Sequence, residues 1–569
     1  MTNNLLILSL SYFLIPISII GYGILFQKLF LKNFENYNFG YLGLLGIFFL
    51  IIYAYLSNLL IAHTKLHNLI ILLIGFIIFS YFFLLKKKDN FKKQSLLLFF
   101  ILLLIFISIL IFKNHDDFAY YHFPYTYLLT QNELIIGIGN LGHGFRTHSS
   151  LFFLNSLFYL PFVDFFLFNF GTVLILLFSN LILINIILYK YSGLKLLKYN
   201  RFYIYLSLFI FSFINIFFYR IAEHGTDRSA QILIFLLFIE TIFFFNDKIL
   251  SKNNIVKILL LLSLIISFKA FYFLYFVIFI PITIIIFRKK KKLKNVFSFL
   301  FVNKFFPIFS LLIFFVLLNN FLNTGCLIYP VYFTCFDLLS WSIPIQEVKD
   351  MNNWYELWSK AGAGVDYRVK NADLYIQKFN WLGNWFKFYF INKISDFLLG
   401  IIFLILIFFI VFFDRKQKIN KKIKNLSFVY LAIFILFFEW FYNHPALRYG
   451  GYALFFLLLI IPVSNFLCRY DLNEKKFFKR IIIILSMTII IFLGRNISRL
   501  HNENLKYAYN PLKNSFYTVN SNHFRIEKKL NEILKKNELC ENKKKVETCL
   551  GEFEKISNFF GKTVIINKK

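Results

Sequence analysis

Two neighbouring carboxylates are the first candidates for chemistry. Asp116 and Asp117 lie in the stretch HDDFAYYHFP at residues 115–124, directly after an apolar run over 95–113. Pro124 biases Phe123 toward an extended conformation, so the acidic pair is expected in a non-helical link. Carboxylates beside an apolar segment are costly unless they face water or a cation. The pair is therefore a candidate functional site that could bind Mg²⁺ or Mn²⁺, and an interfacial anchor or helix cap is the open alternative.

Cationic residues in later segments are candidates for holding phosphate. Arginine binds phosphate through two parallel N–H donors. Only a minority of the 62 basic residues are arginines, so each arginine is more informative than a lysine. Helix capping and snorkelling lysines are the plain alternatives. The candidate phosphate- or substrate-binding residues of these segments are Arg220, His224, Asp227, Arg228, Lys269 and Arg448.

A glycine-rich stretch lies between these two groups of residues. GIGNLG at residues 137–142 matches the dinucleotide-binding pattern, but that motif requires a strand before it and a helix after it, in a βαβ unit. We therefore expect a flexible turn, with backbone N–H groups around a phosphate as a minor alternative. Such a turn would bring His143, Arg146 and His148 toward the acidic pair, and His122 is a further candidate for substrate binding.

Four of the five cysteines form two evenly spaced pairs. Eight residues separate Cys326 from Cys335, and eight separate Cys540 from Cys549. Both pairs lie in segments predicted below to be extracytoplasmic, where disulfides persist. The sequence predicts two disulfides, although spacing does not fix connectivity and free thiols stay open.

The elements that must position these residues are transmembrane helices. The 569-residue chain is 59% hydrophobic and only 16% charged, which excludes secreted scaffolds, disordered tails and cytosolic enzymes. About fourteen apolar runs are long enough to cross a bilayer, so the predicted fold is an all-α, polytopic bundle. Residues 149–168 are apolar but contain Pro161 and Asp164, which predicts an interfacial or half-inserted helix. No cleavable secretory signal is recognised, so the first helix is expected to stay.

Charge along the chain predicts the orientation of the helices. The net charge of +33 is concentrated in alternate loops, near residues 86–93, 190–201, 288–294, 415–424 and 469–480. The positive-inside rule assigns these loops to the cytoplasm, so the charge follows the bilayer and nucleic acid is not an expected partner. The nearly neutral outer set comprises 114–168, 220–228, 323–394, 443–450 and the tail after 495.

The acidic pair and its surroundings resemble the GT-C superfamily, the polyprenol-phosphate-dependent integral-membrane glycosyltransferases. The resemblance lies in the helix ending at Lys113, Asp116-Asp117, the run YYHFP at 120–124 and the amphipathic stretch after Ser149. The run TGCLIYP at 324–330 continuing to Phe336 is similar to uncharacterised bacterial multi-pass proteins in this neighbourhood. Three helices in residues 1–94 precede the GT-C-like core at 95–494, and a small extracytoplasmic tail occupies 495–569.

The resemblance implies a bacterial inner-membrane enzyme with its functional loops on the periplasmic side. It would move a sugar from a polyprenyl-phosphate donor to a saccharide or lipid acceptor, for surface polysaccharide or lipid modification. Asp116 or Asp117 would serve as general base or bind a cation, and Arg220, Arg228 or Arg448 would stabilise the leaving phosphate.

Two other functions stay open at this point. A polysaccharide polymerase or ligase would also use outer arginines and would depend less on the acidic pair. A transporter or lipid flippase is expected to carry mid-span charges and paired repeats. Glu240 and Glu439 are the mid-span acids, and no repeat is evident.

Overall fold

The computed structural model of the chain describes most of its length. The described residues are 3–31, 38–85, 89–188, 201–223, 225–246, 252–291, 293–301, 305–363, 369, 371–413, 423, 425–470, 473–541, 555–559 and 561–566. His224 and much of the basic loops near residues 86, 190 and 415 lie outside them. The predicted pairing of Cys540 with Cys549 also lies outside the described residues.

The described chain is mostly helical. The helices of its first half are α1 (Asn3–Phe30), α2 (Phe39–Asn58), α3 (Lys65–Leu85), α4 (Asp89–Ile105), α5 (Phe123–Gln131), α6 (Ser150–Ser156), α7 (Phe170–Ile187), α8 (Arg201–Phe217), α9 (Thr226–Asn246), α10 (Lys252–Phe268) and α11 (Phe279–Lys290). Those of the second half are α12 (Leu293–Phe301), α13 (Phe305–Thr324), α14 (Ile345–Lys360), α15 (Ala372–Ile376), α16 (Leu382–Trp385), α17 (Ser395–Phe412), α18 (Leu426–Asn443), α19 (Gly451–Leu467), α20 (Glu474–Tyr507) and α21 (Arg525–Glu541). A single hairpin, β1 (Lys555–Phe559) with β2 (Lys562–Ile566), follows them.

Many of these helices are suited to a bilayer. Eleven helical segments in the described residues are long and apolar enough to cross a membrane, and α8 and α19 are shorter apolar helices. Helix α10 adds 17 largely apolar residues. Backbone polar groups have no water to bond within a bilayer, and helices satisfy them internally. The chain is therefore a multi-pass helical membrane protein, while the number of fourteen spans stays a prediction.

Burial separates central helices from peripheral ones. Nearly all residues of α7 and α9 are buried, because both helices are apolar on every side and are surrounded by other helices. Helices α17 and α20 instead expose large aliphatic side chains, including Ile410 at 83% and Ile490 at 68%. Such exposed apolar faces are expected to contact lipid.

Glycines bring the three N-terminal helices into close contact. A Cβ on Gly23 of α1 would lie 1.8 Å from the Leu42 carbonyl oxygen of α2, and one on Gly21 would lie 2.0 Å from that of Gly75 of α3. Small residues let helix backbones approach in membranes, where packing drives association. Helices α1–α3 thus form a tight group that precedes the remaining helices.

The stretch predicted as an interfacial helix over 149–168 is largely irregular. Helix α6 ends at Ser156, and turns continue to α7. Phe162 and Asp164 adopt positive φ angles of 69° and 52°, which interrupt helical geometry. Asp164 forms a salt bridge with Lys65 at the start of α3.

The C-terminal part packs against segments predicted to be extracytoplasmic. Helix α20 continues beyond the apolar run that was expected to end at residue 494 and reaches Tyr507, supported by an Arg499–Glu503 pair at i,i+4. Strand β2 then bonds Ile136 through the Ile565 N–H, at 2.9 Å, and Lys562 pairs with Glu133 at 2.7 Å. In the neighbouring 323–394 segment, a disulfide joins Cys326 to Cys335.

Candidate functional site

The acidic pair lies at the start of a helix rather than in a non-helical link. Asp117 and Phe123 both have right-handed helical dihedrals, and a π-helical turn over Phe118–His122 leads into α5. The expected extended conformation of Phe123 is therefore wrong. Pro124 offers no N–H to the Tyr120 carbonyl four residues earlier, and Arg525 donates to that carbonyl at 2.7 Å instead. The wider π-helical turn and the Arg525 side chain together compensate for the missing N–H of Pro124.

Four residues from four separate segments form one charged cluster. The Arg448 guanidinium donates from Nη2 to Asp117 Oδ2 at 2.9 Å and from Nε to Asp227 Oδ2 at 3.1 Å. Lys269 forms a salt bridge with the other oxygen of Asp227. We call these four residues the Arg448 cluster. Their side chains are 15–34% exposed, so the cluster is largely buried yet reachable.

Local structure explains how each segment presents its charge. Asp227 lies in the first turn of α9, where an acid is favoured by the helix dipole. Lys269 is extended between α10 and the 3₁₀ turn at Ala270–Ile278. Arg448 lies in a 3₁₀ turn that Gly450 ends with a φ of 105°. The Gln231 side chain of α9 fixes this turn, because its Nε2 donates to the Arg448 carbonyl at 3.0 Å.

Burial and the neighbouring charges act together on the pKa values of the cluster. Burial opposes the charge on Arg448, but the carboxylates of Asp227 and Asp117 outweigh it and raise the pKa of Arg448 above its ordinary value. Burial would raise the pKa of Asp117, whereas the Arg448 charge reverses this and lowers it. For Lys269, burial outweighs the attraction of Asp227 and lowers the pKa. Asp117 is thus an ionised carboxylate at neutral pH.

Two aromatic rings lie near the cations of the cluster. The Arg448 Cζ atom lies 5.5 Å from the centre of the Trp358 ring and 5.8 Å from that of Tyr449. The Nζ atom of Lys269 lies 5.0 Å from the Tyr449 ring centre. Trp358 belongs to α14, so the tryptophan-rich 323–394 segment contributes a ring to this site. The site therefore combines apolar ring faces with charged neighbours.

His122 lies next to the cluster in a buried position. Its side chain is 8% exposed, its ring centre lies 5.0 Å from that of Phe152, and burial lowers its pKa to about 4. The imidazole is therefore neutral at physiological pH, and its Nε2 has no hydrogen-bond partner among the described residues. A role for His122 in substrate binding stays a prediction.

Replacement of Gly225 is expected to disturb this site. A Cβ at Gly225 would lie 2.0 Å from Cε1 of the His122 ring, so Gly225→Ala must displace the histidine or the loop before α9. Such overpacking typically costs about 1–3 kcal/mol. We expect a lower midpoint of thermal unfolding in detergent. Gly383→Ala is the control, since a Cβ there meets nothing within 4 Å. Equal midpoints for the two variants would contradict the prediction.

Several other candidate residues are engaged elsewhere. Asp116 is 88% exposed and pairs with Lys113 at 3.1 Å, away from Arg448. Arg220 pairs with Glu223, three residues on, and Arg228 lies over the Phe218 ring at 5.3 Å. Of the three arginines predicted to bind phosphate, the cluster thus contains Arg448. The contacts described for the other two go to Glu223 and to the Phe218 ring instead.

The glycine-rich turn also directs its side chains elsewhere. Gly137 has a φ of 76°, and a short 3₁₀ helix follows over Ile138–Leu141. Arg146 is buried, pairs with Glu347 at 2.8 Å and donates to the Gly139 carbonyl at 3.1 Å. His148 bonds Asn320 at 2.9 Å, which gives it a structural role. Burial lowers the pKa of His143, and a role for this residue in substrate binding stays a prediction.

A divalent cation does not fit the described carboxylates well. Three or more His, Cys, Asp or Glu side chains do not converge as metal ligands anywhere in the described ranges. Asp117 and Asp227 instead share the cation Arg448, and Asp116 points to Lys113. The positive charge that a metal would supply is provided here by Arg448 and Lys269.

The family of the chain follows from a comparison with family models. Residues 5–456 match DUF8201, described as a domain of unknown function. The chain belongs to the DUF8201 family. No curated protein and no solved structure gives a match. The DUF8201 match contains the whole Arg448 cluster, whereas α20, with Arg495 and Arg499, lies beyond it.

Charged residues that the sequence reasoning missed lie in α20. Arg499 pairs with Glu503 at 3.2 Å and approaches Glu223 at 3.8 Å. Residues after 494 were predicted to form a tail, so these contacts were not expected. The sequence did contain a sign of the longer helix. Arg499 and Glu503 are spaced i,i+4, which favours a helix that continues past its apolar run.

Proposed function

We propose that this DUF8201 protein is a membrane glycosyltransferase of the GT-C type. It would move a sugar from a polyprenyl-phosphate carrier to a saccharide or lipid acceptor at the periplasmic face of the bacterial inner membrane. One observation carries the proposal: Arg448 bridges the carboxylates of Asp117 and Asp227 beside Lys269, in a partly open position. This arrangement supplies a base and two cations within one site.

The reaction assigns a separate task to each charge. The acceptor hydroxyl attacks the anomeric carbon of the sugar, and the bond from that carbon to the phosphate oxygen breaks. The proton of the hydroxyl passes to Asp117, and polyprenyl phosphate leaves as an anion stabilised by Arg448 and Lys269. Proton capture by Asp117 makes the cluster one charge more positive, which matches the negative charge of the leaving group.

Donor binding would also activate the base. In the free protein, Arg448 lowers the pKa of Asp117 and so makes it a weak base. The donor phosphate competes for the same guanidinium, because Arg binds phosphate as well as carboxylate in a bidentate manner. Loss of that ion pair would raise the pKa of Asp117 when the donor is in place. Asp117 would therefore be the stronger base in the donor complex, when the acceptor hydroxyl must lose its proton.

The aromatic surroundings support a sugar ligand. Trp358 and Tyr449 have ring centres 5.8 Å apart at an interplanar angle of 73°, and both flank Arg448. Apolar faces of sugars stack on such rings, while hydroxyl groups bond the adjacent charges. No step of the proposal runs through a divalent cation, and Mg²⁺ or Mn²⁺ dependence stays a prediction to be tested with a chelator.

Reconstitution tests the proposal directly. The purified full-length protein is placed in proteoliposomes with undecaprenyl-phosphate sugars labelled on the sugar and with bacterial envelope lipids and saccharides as acceptors. Label in a new product, with release of undecaprenyl phosphate, is the expected result. Label that crosses the bilayer unchanged would indicate a flippase. A parallel reaction supplies undecaprenyl-diphosphate-linked chains, and transfer in that reaction alone would indicate a polymerase or ligase.

Cysteine labelling tests the proposed orientation. Variants that retain only Cys335 or only Cys468 are treated in intact cells with a membrane-impermeant maleimide. Cys335 lies in the predicted outer segment and is expected to react, since replacing Cys326 breaks its disulfide. Cys468 directly follows α19, at the opposite predicted face, and is expected to react only after permeabilisation. The reverse pattern would overturn the assignment of the site to the periplasm.

A further inference from the structure

A second charged site lies where the loop after α8 meets the far end of α20. A cavity of about 370 Å³ opens there, and its lining includes the side chains Tyr219, Arg220, Arg495, Arg499, Glu503 and Lys506. We call it the Arg499 pocket. Its residues differ from those of the Arg448 cluster.

The charges of this pocket do not balance. Four cationic side chains and one carboxylate, that of Glu503, line the pocket. Glu223 is not a lining residue, but it pairs with Arg220 and so adds a second negative charge nearby. Glu223 pairs with Arg220 and Glu503 pairs with Arg499, so neither carboxylate neutralises Arg495 or Lys506. The pocket therefore keeps a net positive charge.

Arg499 is a buried hydrogen-bond donor whose position is fixed by its neighbours. Its side chain is 5% exposed, and it is held by the Ile107 carbonyl at 3.0 Å and by Glu503 at 3.2 Å. Its Nε is buried and has no hydrogen-bond partner in the described part of the chain, with Glu223 Oε1 at 3.8 Å. The guanidinium is thus held in the wall of the pocket, with the Glu223 carboxylate as the nearest acceptor to Nε.

The position of the pocket along α20 matches the level of lipid headgroups. The apolar part of this helix ends near Leu493, and the cations follow at Arg495 and beyond. Ile490 and Ile497 are 68% and 58% exposed beside the pocket, as expected of residues that contact acyl chains. Cations just beyond an apolar span lie where phosphate groups of lipids are concentrated.

We propose that the Arg499 pocket binds a phosphate group at a site separate from the Arg448 cluster. Arginine recognises phosphate through parallel N–H donors, and this pocket offers three arginines and a lysine. A lipid headgroup and a soluble phosphate compound present the same chemistry to it. The proposal stands on binding alone and does not depend on the transferase proposal.

Binding measurements test this site in two arms. In one arm, purified full-length protein in neutral detergent is dialysed against radiolabelled inorganic phosphate or pyrophosphate. In the other, it is mixed with radiolabelled phosphatidic acid in phosphatidylcholine–detergent micelles, and the bound label is counted after capture of the protein. Binding in the first arm indicates a soluble ligand, and binding only in the second indicates a headgroup.

Exposed cations allow variants that keep the fold. Arg495→Gln and Lys506→Gln are each expected to weaken binding about threefold and together about tenfold, as for partly exposed charges. Lys479→Gln removes one exposed charge from the other end of the same helix and is expected to change nothing. Equal binding by the double variant and the wild type would overturn the proposal, as would no binding in either arm. Because no transfer is measured, an inactive transferase leaves this result interpretable.

Discussion

Asp117→Asn is expected to reduce glycosyl transfer by about 10²–10⁴-fold, the usual contribution of a general base. The amide cannot accept the proton of the acceptor hydroxyl, whereas its size leaves the site's shape unchanged. Donor binding should persist, since Arg448 and Lys269 remain. The measurement is the initial rate of sugar transfer in proteoliposomes, together with donor affinity.

The neighbouring acid provides a matched control for this variant. Asp116→Asn makes the same chemical change one residue earlier, at a side chain that is 88% exposed and pairs with Lys113. It is expected to retain nearly full transfer. A large loss in Asp116→Asn with full activity in Asp117→Asn would reverse the assignment, and full activity in both would remove the acidic pair from the mechanism.

Arg448→Lys is expected to lower transfer by about 10²–10³-fold, as the loss of a preorganised charged donor does. A lysine keeps the charge but cannot bond Asp117 and Asp227 at once in the way that the planar guanidinium does. Arg448→Gln would in addition leave Asp117 without its partner. We expect that variant to lose about 1–3 kcal/mol of stability, reduced from the value for fully buried pairs because the site is partly exposed.

Two measurements separate chemistry from folding in the Arg448 series. Thermal unfolding in detergent reports the stability of each variant, and the pH dependence of transfer reports the base. Without Arg448, the pKa of Asp117 in the free protein should rise, so the acidic limb of the pH profile of kcat/KM should move to higher pH. Arg288→Lys, an exposed arginine over the Phe428 ring, is the control and should leave both readouts unchanged. An unchanged rate in Arg448→Lys would contradict the proposed clamp.

The sequence predicted the class of the fold because transfer of apolar helices into a bilayer dominates every local preference. It also predicted the segments that meet at the site, since loops between spans must lie at one face or the other. It could not choose between Asp116 and Asp117, because adjacent residues on a helix point about 100° apart and only tertiary packing sets the rotation. The structure directs Asp117, not Asp116, to Arg448.

Local pairing explains the other differences. Arg220 and Glu223 lie three residues apart, a spacing that favours their pairing on a helical turn. Arg220 was nevertheless predicted to bind phosphate. The carbonyl that Pro124 leaves without its N–H partner, that of Tyr120, accepts from Arg525, a residue about four hundred positions away. A preference read from neighbouring residues cannot include such a donor.

The C-terminal part of the chain braces the segment that carries Asp117. Glu503 accepts from the Phe112 N–H at 3.1 Å, Thr518 donates to the Phe112 carbonyl at 2.9 Å, and Arg525 reaches Tyr120. A protein shortened after residue 494 would keep every member of the Arg448 cluster and lose all three supports. Loss of activity in such a deletion would then reflect the missing supports rather than missing site residues, so the site is better located by single substitutions.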